Sequence, residues 1–120
     1  MIPGDTVITE RGQAIYLCPV VLDGISTRLV LFAGRYGNSR IAVGAMSSDS
    51  EIYGIVSINV PDILIESNEF VLNHDFNNDV KNLQNLLACG VLRLSGYASY
   101  GFVEDQPVLE IIDFDTIVWG

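Results

Sequence analysis

The sequence predicts an α+β fold: an antiparallel β-sheet of about six to seven strands with one α-helix, residues 77–89, packed on it. Three observations lead there. Short runs rich in Val, Ile and Leu recur along the chain, of which 49% is apolar. Clusters of Gly, Pro, Asp and Ser punctuate these runs, as turns between strands do. Only between Asn77 and Cys89 do the apolar residues take up a helical period.

Thr6–Thr9 alternates weakly and is followed by Glu10–Gln13, a segment of turn composition. Ala14–Leu22 is a long β-forming run interrupted by Pro19, which marks an edge strand, a bulge or two short strands. Asp23-Gly24 is a hairpin-type turn signal leading into a second strand, Thr27–Ala33. After the glycine-rich connection Gly34–Asn38, strand character resumes over Ser39–Met46. Ser47–Ser50 reads as a turn and Ile52–Val60 as a core strand. Pro61 and Asp62 break that strand; Ile63–Ile65 is a short apolar patch and Phe70–Leu72 a brief strand.

The helix follows. Val80, Leu83, Leu86, Leu87 and Ala88 supply its apolar face, Asn77 or Asn78 its N-cap, Asp79 an acid in the first turn, and Gly90 the left-handed stop. Val91–Leu94 reads as a strand, Ser95–Ser99 as a loop of small residues, and Tyr100–Val103, Val108–Phe114 and Ile117–Trp119 as closing strands. The 120 residues form one domain, 1–120, by the usual length prior, with no internal repeat or linker.

Fifteen acids face six bases, a formal charge of −9. Seven acids and no base lie between Ile41 and Val80 (Asp49, Glu51, Asp62, Glu66, Glu69, Asp75, Asp79), and five acids follow Arg93 (Glu104, Asp105, Glu110, Asp113, Asp115). Such a chain lacks the Lys and Arg clusters that bind phosphate, so neither direct nucleic-acid binding nor an anionic membrane surface is expected. A basic partner would be attracted by its field, although excess acid also serves solubility. No apolar run reaches the roughly 18 residues of a membrane span. Met1–Asp5 lacks the basic and apolar regions of a signal peptide, so a cytoplasmic protein is expected.

Catalytic chemistry finds little footing. The single histidine, His74, reads as a surface or capping residue; Asp75 is adjacent, but neighbours in extended chain point to opposite sides. Cys18 and Cys89 read as buried small hydrophobes, with a disulfide, a reactive thiol and a metal ligand as the alternatives. CxxC, HExxH and EF-hand spacings are absent, and neither Gly34–Gly37 nor Gly96–Gly101 matches a phosphate loop. A paired-carboxylate hydrolase stays open because spacing alone selects no pair among fifteen acids. No metal, cofactor or enzymatic activity is expected.

Of the aromatic residues, Tyr16, Phe32, Tyr53, Phe70, Phe76, Phe102 and Phe114 accompany apolar runs and are assigned to the core. Tyr36, Tyr97, Tyr100 and Trp119 lie in glycine-rich or terminal segments, where tyrosine and tryptophan serve interfaces. The candidate partner-binding residues are Asp62, Glu66, Glu69, Asp75, Asp79, Glu104, Asp105, Tyr97 and Tyr100.

The segment Ser57–Ile111 carries Ser57-Ile58-Asn59-Val60-Pro61, Asn68-Glu69-Phe70-Val71, Asn73–Asn78, a helix ending Leu86–Val91, and Gly101-Phe102-Val103-Glu104; Asn38–Val43 adds to the pattern. It resembles a family of small uncharacterised proteins carried by phages and conjugative elements. Leu72 departs from that family, whose members often carry a base there. The resemblance implies a mobile-element origin, and with it an inhibitor of the anti-CRISPR or anti-restriction type. Such a protein occludes a basic, nucleic-acid-binding surface of a host defence complex. An immunity or antitoxin-type protein neutralising a basic toxin is the alternative, and a homo-oligomer stays open.

Overall fold

The computed structural model describes residues 6–9, 12–24, 29–47, 51–76 and 80–112. Among them the strands β1 (Thr6–Thr9), β2 (Gly12–Val20), β3 (Leu29–Arg35), β4 (Ile41–Ser47) and β5 (Ile52–Ile55) pair in chain order into one antiparallel sheet. A second sheet holds β6 (Ser57–Ile58), β7 (Glu69–Leu72), β8 (Leu92–Tyr100) and β9 (Val103–Ile111), in the order β6-β7-β9-β8. One helix, α1 (Val80–Ala88), and a 3₁₀ turn at His74–Phe76 complete the architecture. The α+β class holds, but the expected single sheet of six to seven strands is two sheets with nine described strands. A period of two in the sequence encodes which face is apolar, not which sheet a strand joins.

Ile52–Val60, expected as one core strand, makes the difference. The chain pairs with β4 as β5, then leaves for sheet two as β6. Val56 sits between them, fully buried. Its N–H donates to the Val43 carbonyl (2.8 Å) and its carbonyl accepts from the Asn73 N–H (2.7 Å), so this one residue is bonded to both sheets. Ser57 completes the corner: its hydroxyl oxygen accepts from the Val43 N–H (2.9 Å) and pairs with the Tyr36 hydroxyl (2.7 Å). A strand that changes sheets is how a sandwich turns a corner without stranding backbone groups.

The strands alternate as their faces require. Leu29, Leu31 and Ala33 of β3 and Ile41, Val43 and Ala45 of β4 point inward. They meet Phe70 and Leu72 of β7 and Leu109 and Ile111 of β9, with Phe76 from the 3₁₀ turn. Gly54 admits that ring: a Cβ there would lie 2.8 Å from Phe76 Cζ. Among the described residues the last β1 pair is Thr6↔Ile15, so the missing N–H of Pro19 interrupts no described pair between β1 and β2. The expected bulge is also present, between Tyr16 and Cys18.

Helix α1 joins the sheets on another side. It buries Leu86 completely and packs Leu83 and Leu87 against the core, while Val80, assigned to the apolar face, is 65% exposed. The buried positions are Asn82 and Leu86, one turn apart; Val80, two residues before Asn82, falls off that stripe. Asn77, Asn78 and Asp79 lie outside the described residues, and Gly90, at φ +86°, closes the helix as expected.

Asn82 Oδ1 accepts from the Asp23 N–H and its Nδ2 donates to Asp23 Oδ1, both at 2.7 Å. Asn85 Nδ2 donates to the Val21 carbonyl at 3.1 Å. Asp23, in the expected Asp23-Gly24 turn, also accepts from the Tyr53 hydroxyl at 2.5 Å. These two donors, Tyr53 first, hold the Asp23 carboxyl below its ordinary value of 3.8. A depressed carboxylate contributes stability above its unfolded value and loses it as pH falls through the folded one. Tyr53→Phe is therefore expected to cost about 0.5 kcal/mol at neutral pH, the pair being largely exposed. The gap from the parent closes as pH drops below 3.8, a comparison made by urea unfolding at about pH 7 and about pH 3.

Candidate protein-docking surface

Sheet two and the connections beside its strands carry most of the acids selected from the sequence and separate them into two groups. The Glu69↔Glu110 pairing sets the start of β7 beside the end of β9, so the β6–β7 connection, with Asp62 and Glu66, lies at one end of the sheet. The β8–β9 turn lies at the other, together with the 3₁₀ turn that follows β7. Asp62, Glu66 and Glu69 therefore form one group, and Asp75, Tyr97, Tyr100, Glu104 and Asp105 the second. Asp79 lies outside the described residues.

In the first group Glu69 is engaged in holding the β6–β7 loop, which Arg40 also ties down. Arg40 donates from Nη1 to the Val60 carbonyl (2.7 Å) and from Nη2 to those of Pro61 (3.2 Å) and Ile63 (2.6 Å). Glu69 is half-buried; it accepts from the Glu66 N–H at 2.6 Å and from the Ser95 hydroxyl. Its cross-strand neighbour Glu110 is paired with Arg93 Nε at 2.5 Å. Two glutamates directly opposite each other would repel, and these donors offset that repulsion. Glu69 is a structural acid. Asp62 and Glu66 keep exposed side chains, beside an almost fully exposed Leu64.

The second group is built by the β8–β9 hairpin. Ser95–Ser99, expected as a loop, belongs to β8. Its small residues fit because Ser95 is an extra residue opposite the step from Leu109 to Val108. Beyond the bulge Tyr97 continues the exposed positions Arg93 and Ser95 and stands 62% exposed. Tyr100↔Val103 closes the hairpin through Gly101 (φ +55°) and Phe102, with glycine at the position needing positive φ.

Phe102 then has nothing to pack on and is completely exposed, so its assignment to the core is corrected. Tyr53, also assigned to the core, is 37% exposed at its rim, its ring against Phe76. Asp105 adopts φ +52° and donates its N–H to Ser99 Oγ at 3.1 Å, an irregularity that leaves both Glu104 and Asp105 facing solvent.

Tyr100 differs from Tyr97. Its hydroxyl is buried without a hydrogen-bond partner among the described residues. Burial, and then the charge of Asp75, raise its pKa. Asp75 thus sits near the base of the hairpin. His74 Nε2 and Asp75 Oδ1 lie 3.3 Å apart because the segment is a 3₁₀ turn and not the extended chain expected.

The second group accordingly consists of two protruding aromatic rings, Tyr97 and Phe102, with three exposed acids, Asp75, Glu104 and Asp105. Sequence reasoning missed Phe102, although Gly101-Phe102 between two strands is a two-residue turn signal once β8 is read through Ser99.

A separate concavity of about 210 Å³ lies on sheet one, lined by Phe32, Ala42, Gly44, Ile52 and Ile55. It is smaller than the roughly 300–1,000 Å³ of most small-molecule sites and includes none of the selected acids. Among the described residues no helix is long and apolar enough to cross a membrane, and no group of three or more His, Cys, Asp or Glu could hold a metal ion. Comparison with protein-family models, with curated proteins and with solved structures finds no match.

Proposed function

We propose that this chain is a non-enzymatic acidic binding protein whose β8–β9 hairpin docks on a basic surface of a protein or protein–nucleic acid complex. The observation that carries the reading is Phe102, fully exposed at the hairpin tip beside Glu104 and Asp105. Burying such a ring in a partner's pocket is worth about 1.5–3 kcal/mol, and aromatic anchors dominate binding energy at interfaces. The acids around it supply what the ring lacks: they steer a basic partner during diffusion and reject an acidic one. The nucleic-acid channel of a host nuclease complex is a surface of this kind. Steric occlusion by the hairpin, with the acids guiding approach, is the mode proposed.

The test begins with capture of partners from host lysate by the immobilised protein, followed by association measurements on the purified pair. Phe102→Ala is expected to weaken binding at least about tenfold. Reversal of Glu104 and Asp105 to lysine should slow association and flatten its salt dependence. Asp62 and Glu66, at the far end of the sheet, serve as the control pair, and all variants should stay within about 0.5 kcal/mol of the parent in stability. Binding that survives both hairpin variants, or that is indifferent to salt, would sink the proposal.

A further inference from the structure

Sheet one carries apolar residues on both faces. Leu31, Ala33, Val43 and Ala45 belong to the core, so by alternation Phe32, Gly34, Ala42 and Gly44 point away from it. The register sets Phe32 beside Gly44 and Gly34 beside Ala42. Three adjoining positions thus carry nothing larger than a methyl group, and the space they leave is the floor of the concavity of about 210 Å³. Phe32 walls one side, its ring so close over Gly44 that a Cβ there would lie 2.8 Å from Cζ; Ile52 and Ile55 of β5 complete the wall. At Gly34 the floor is open, since a Cβ there would meet nothing within 4 Å.

An apolar cavity of about 150 Å³ takes up benzene, so this one has room for a single aromatic ring. The described residues that line it include no acid, in a chain that carries fifteen, and they do include the exposed cation Arg35. A ring without a seat is present on the same chain. Phe102 stands fully exposed at the β8–β9 turn, and the exposed acids Glu104 and Asp105 follow it. Hairpin tip and concavity are complementary in size, in polarity and in sign of charge.

We propose that the concavity on sheet one receives Phe102 from a second copy of this chain, with Arg35 meeting Glu104 and Asp105 of the incoming hairpin. This rests on the reading of the hairpin as a docking element and adds regulation to it: in the self-associated state the hairpin is occupied, and a basic partner must compete for it. The patch given differs from the patch received, so the contact is heterologous. One copy can give and receive at once, and the assembly grows unless it closes. Two chains of charge −9 repel at long range, which keeps the contact weak and confines it to high concentration.

Sedimentation velocity of the protein alone, from about 10 µM to about 1 mM, should show a mean mass that rises with concentration. Phe102→Ala removes the ring and Gly34→Leu fills its seat; each is expected to weaken association at least about tenfold. If Gly34→Leu does not fold, Ala42→Leu fills the same space. An equimolar mixture of the Phe102 and Gly34 variants should form a heterodimer and nothing larger, since one ring and one seat remain between them. Leu64→Ala, which removes another almost fully exposed apolar side chain, should associate as the parent does. A parent that is monomeric at the highest concentration, a filled-seat variant that associates like the parent, or a mixture that stays monomeric would each overturn the proposal. No partner enters these measurements, so a monomeric parent that still captures a basic protein overturns self-docking alone, and an oligomer that captures none overturns the partner reading alone.

Discussion

Leu86→Ala is expected to lower the unfolding free energy by about 2–5 kcal/mol, the range for removing a buried leucine side chain and leaving part of the cavity unfilled. Leu86 is the only apolar residue of α1 that is fully buried, and it sits in the same cluster as Leu17, Leu31 and Leu109. The other attachments of the helix are weaker. Leu83 and Leu87 are half-buried, and the Asn82 and Asn85 hydrogen bonds reach the β2–β3 turn near solvent. A nine-residue helix is too short to persist unaided, so its helicity depends on tertiary packing, of which Leu86 is the most buried part. Urea unfolding should show the lower midpoint, and amide exchange should show α1 losing protection before the strands of either sheet.

Ser57→Ala is expected to cost about 1–3 kcal/mol, more than an exposed serine would, because it strands a buried donor. Ser57 is 2% exposed and Val43 fully buried, and the serine oxygen accepts the Val43 N–H. Alanine leaves that N–H without an acceptor at the point where the chain passes between sheets. Tyr36→Phe should cost less, since Tyr36 is half-buried and the Ser57–Val43 bond survives. Ser57→Thr keeps the hydroxyl and should lie between the parent and the alanine variant. Equilibrium unfolding ranks the three, and exchange at the Val43 amide reports the bond directly.

Local chemistry was legible wherever it acted within a few residues. Gly90 ended α1 as its position after Cys89 indicated, Asp23-Gly24 made a turn, and Pro19 came with a bulge. The two base-free acidic stretches were equally plain, but their spatial grouping was not. Whether Glu69 faces solvent or Glu110 depends on strand register, which has no local signature.

The same limit hid the sheet change at Val56, whose two hydrogen-bond partners lie 13 and 17 residues away in opposite directions. Ser95–Ser99 misled for a different reason. Small polar residues favour turns in isolation, and here a bulge and pairing with β9 override that preference. Phe102 followed from that misreading, because the turn could be placed only after the strand was.

The partition of the chain between the sheets bears on how it is made. Among the described residues, sheet one uses only those before Val56 and sheet two only those after it. The first sheet can therefore pair completely on the ribosome while its inner face, Leu17, Leu31, Val43 and Ala45, still has no cover. Leu109 and Ile111 emerge roughly fifty residues later, about 3–10 s at ordinary rates of synthesis. Until then a paired sheet presents an incompletely covered apolar face to solvent or to whatever chaperone meets it, and nascent chains crowded on one message would be at risk of joining face to face.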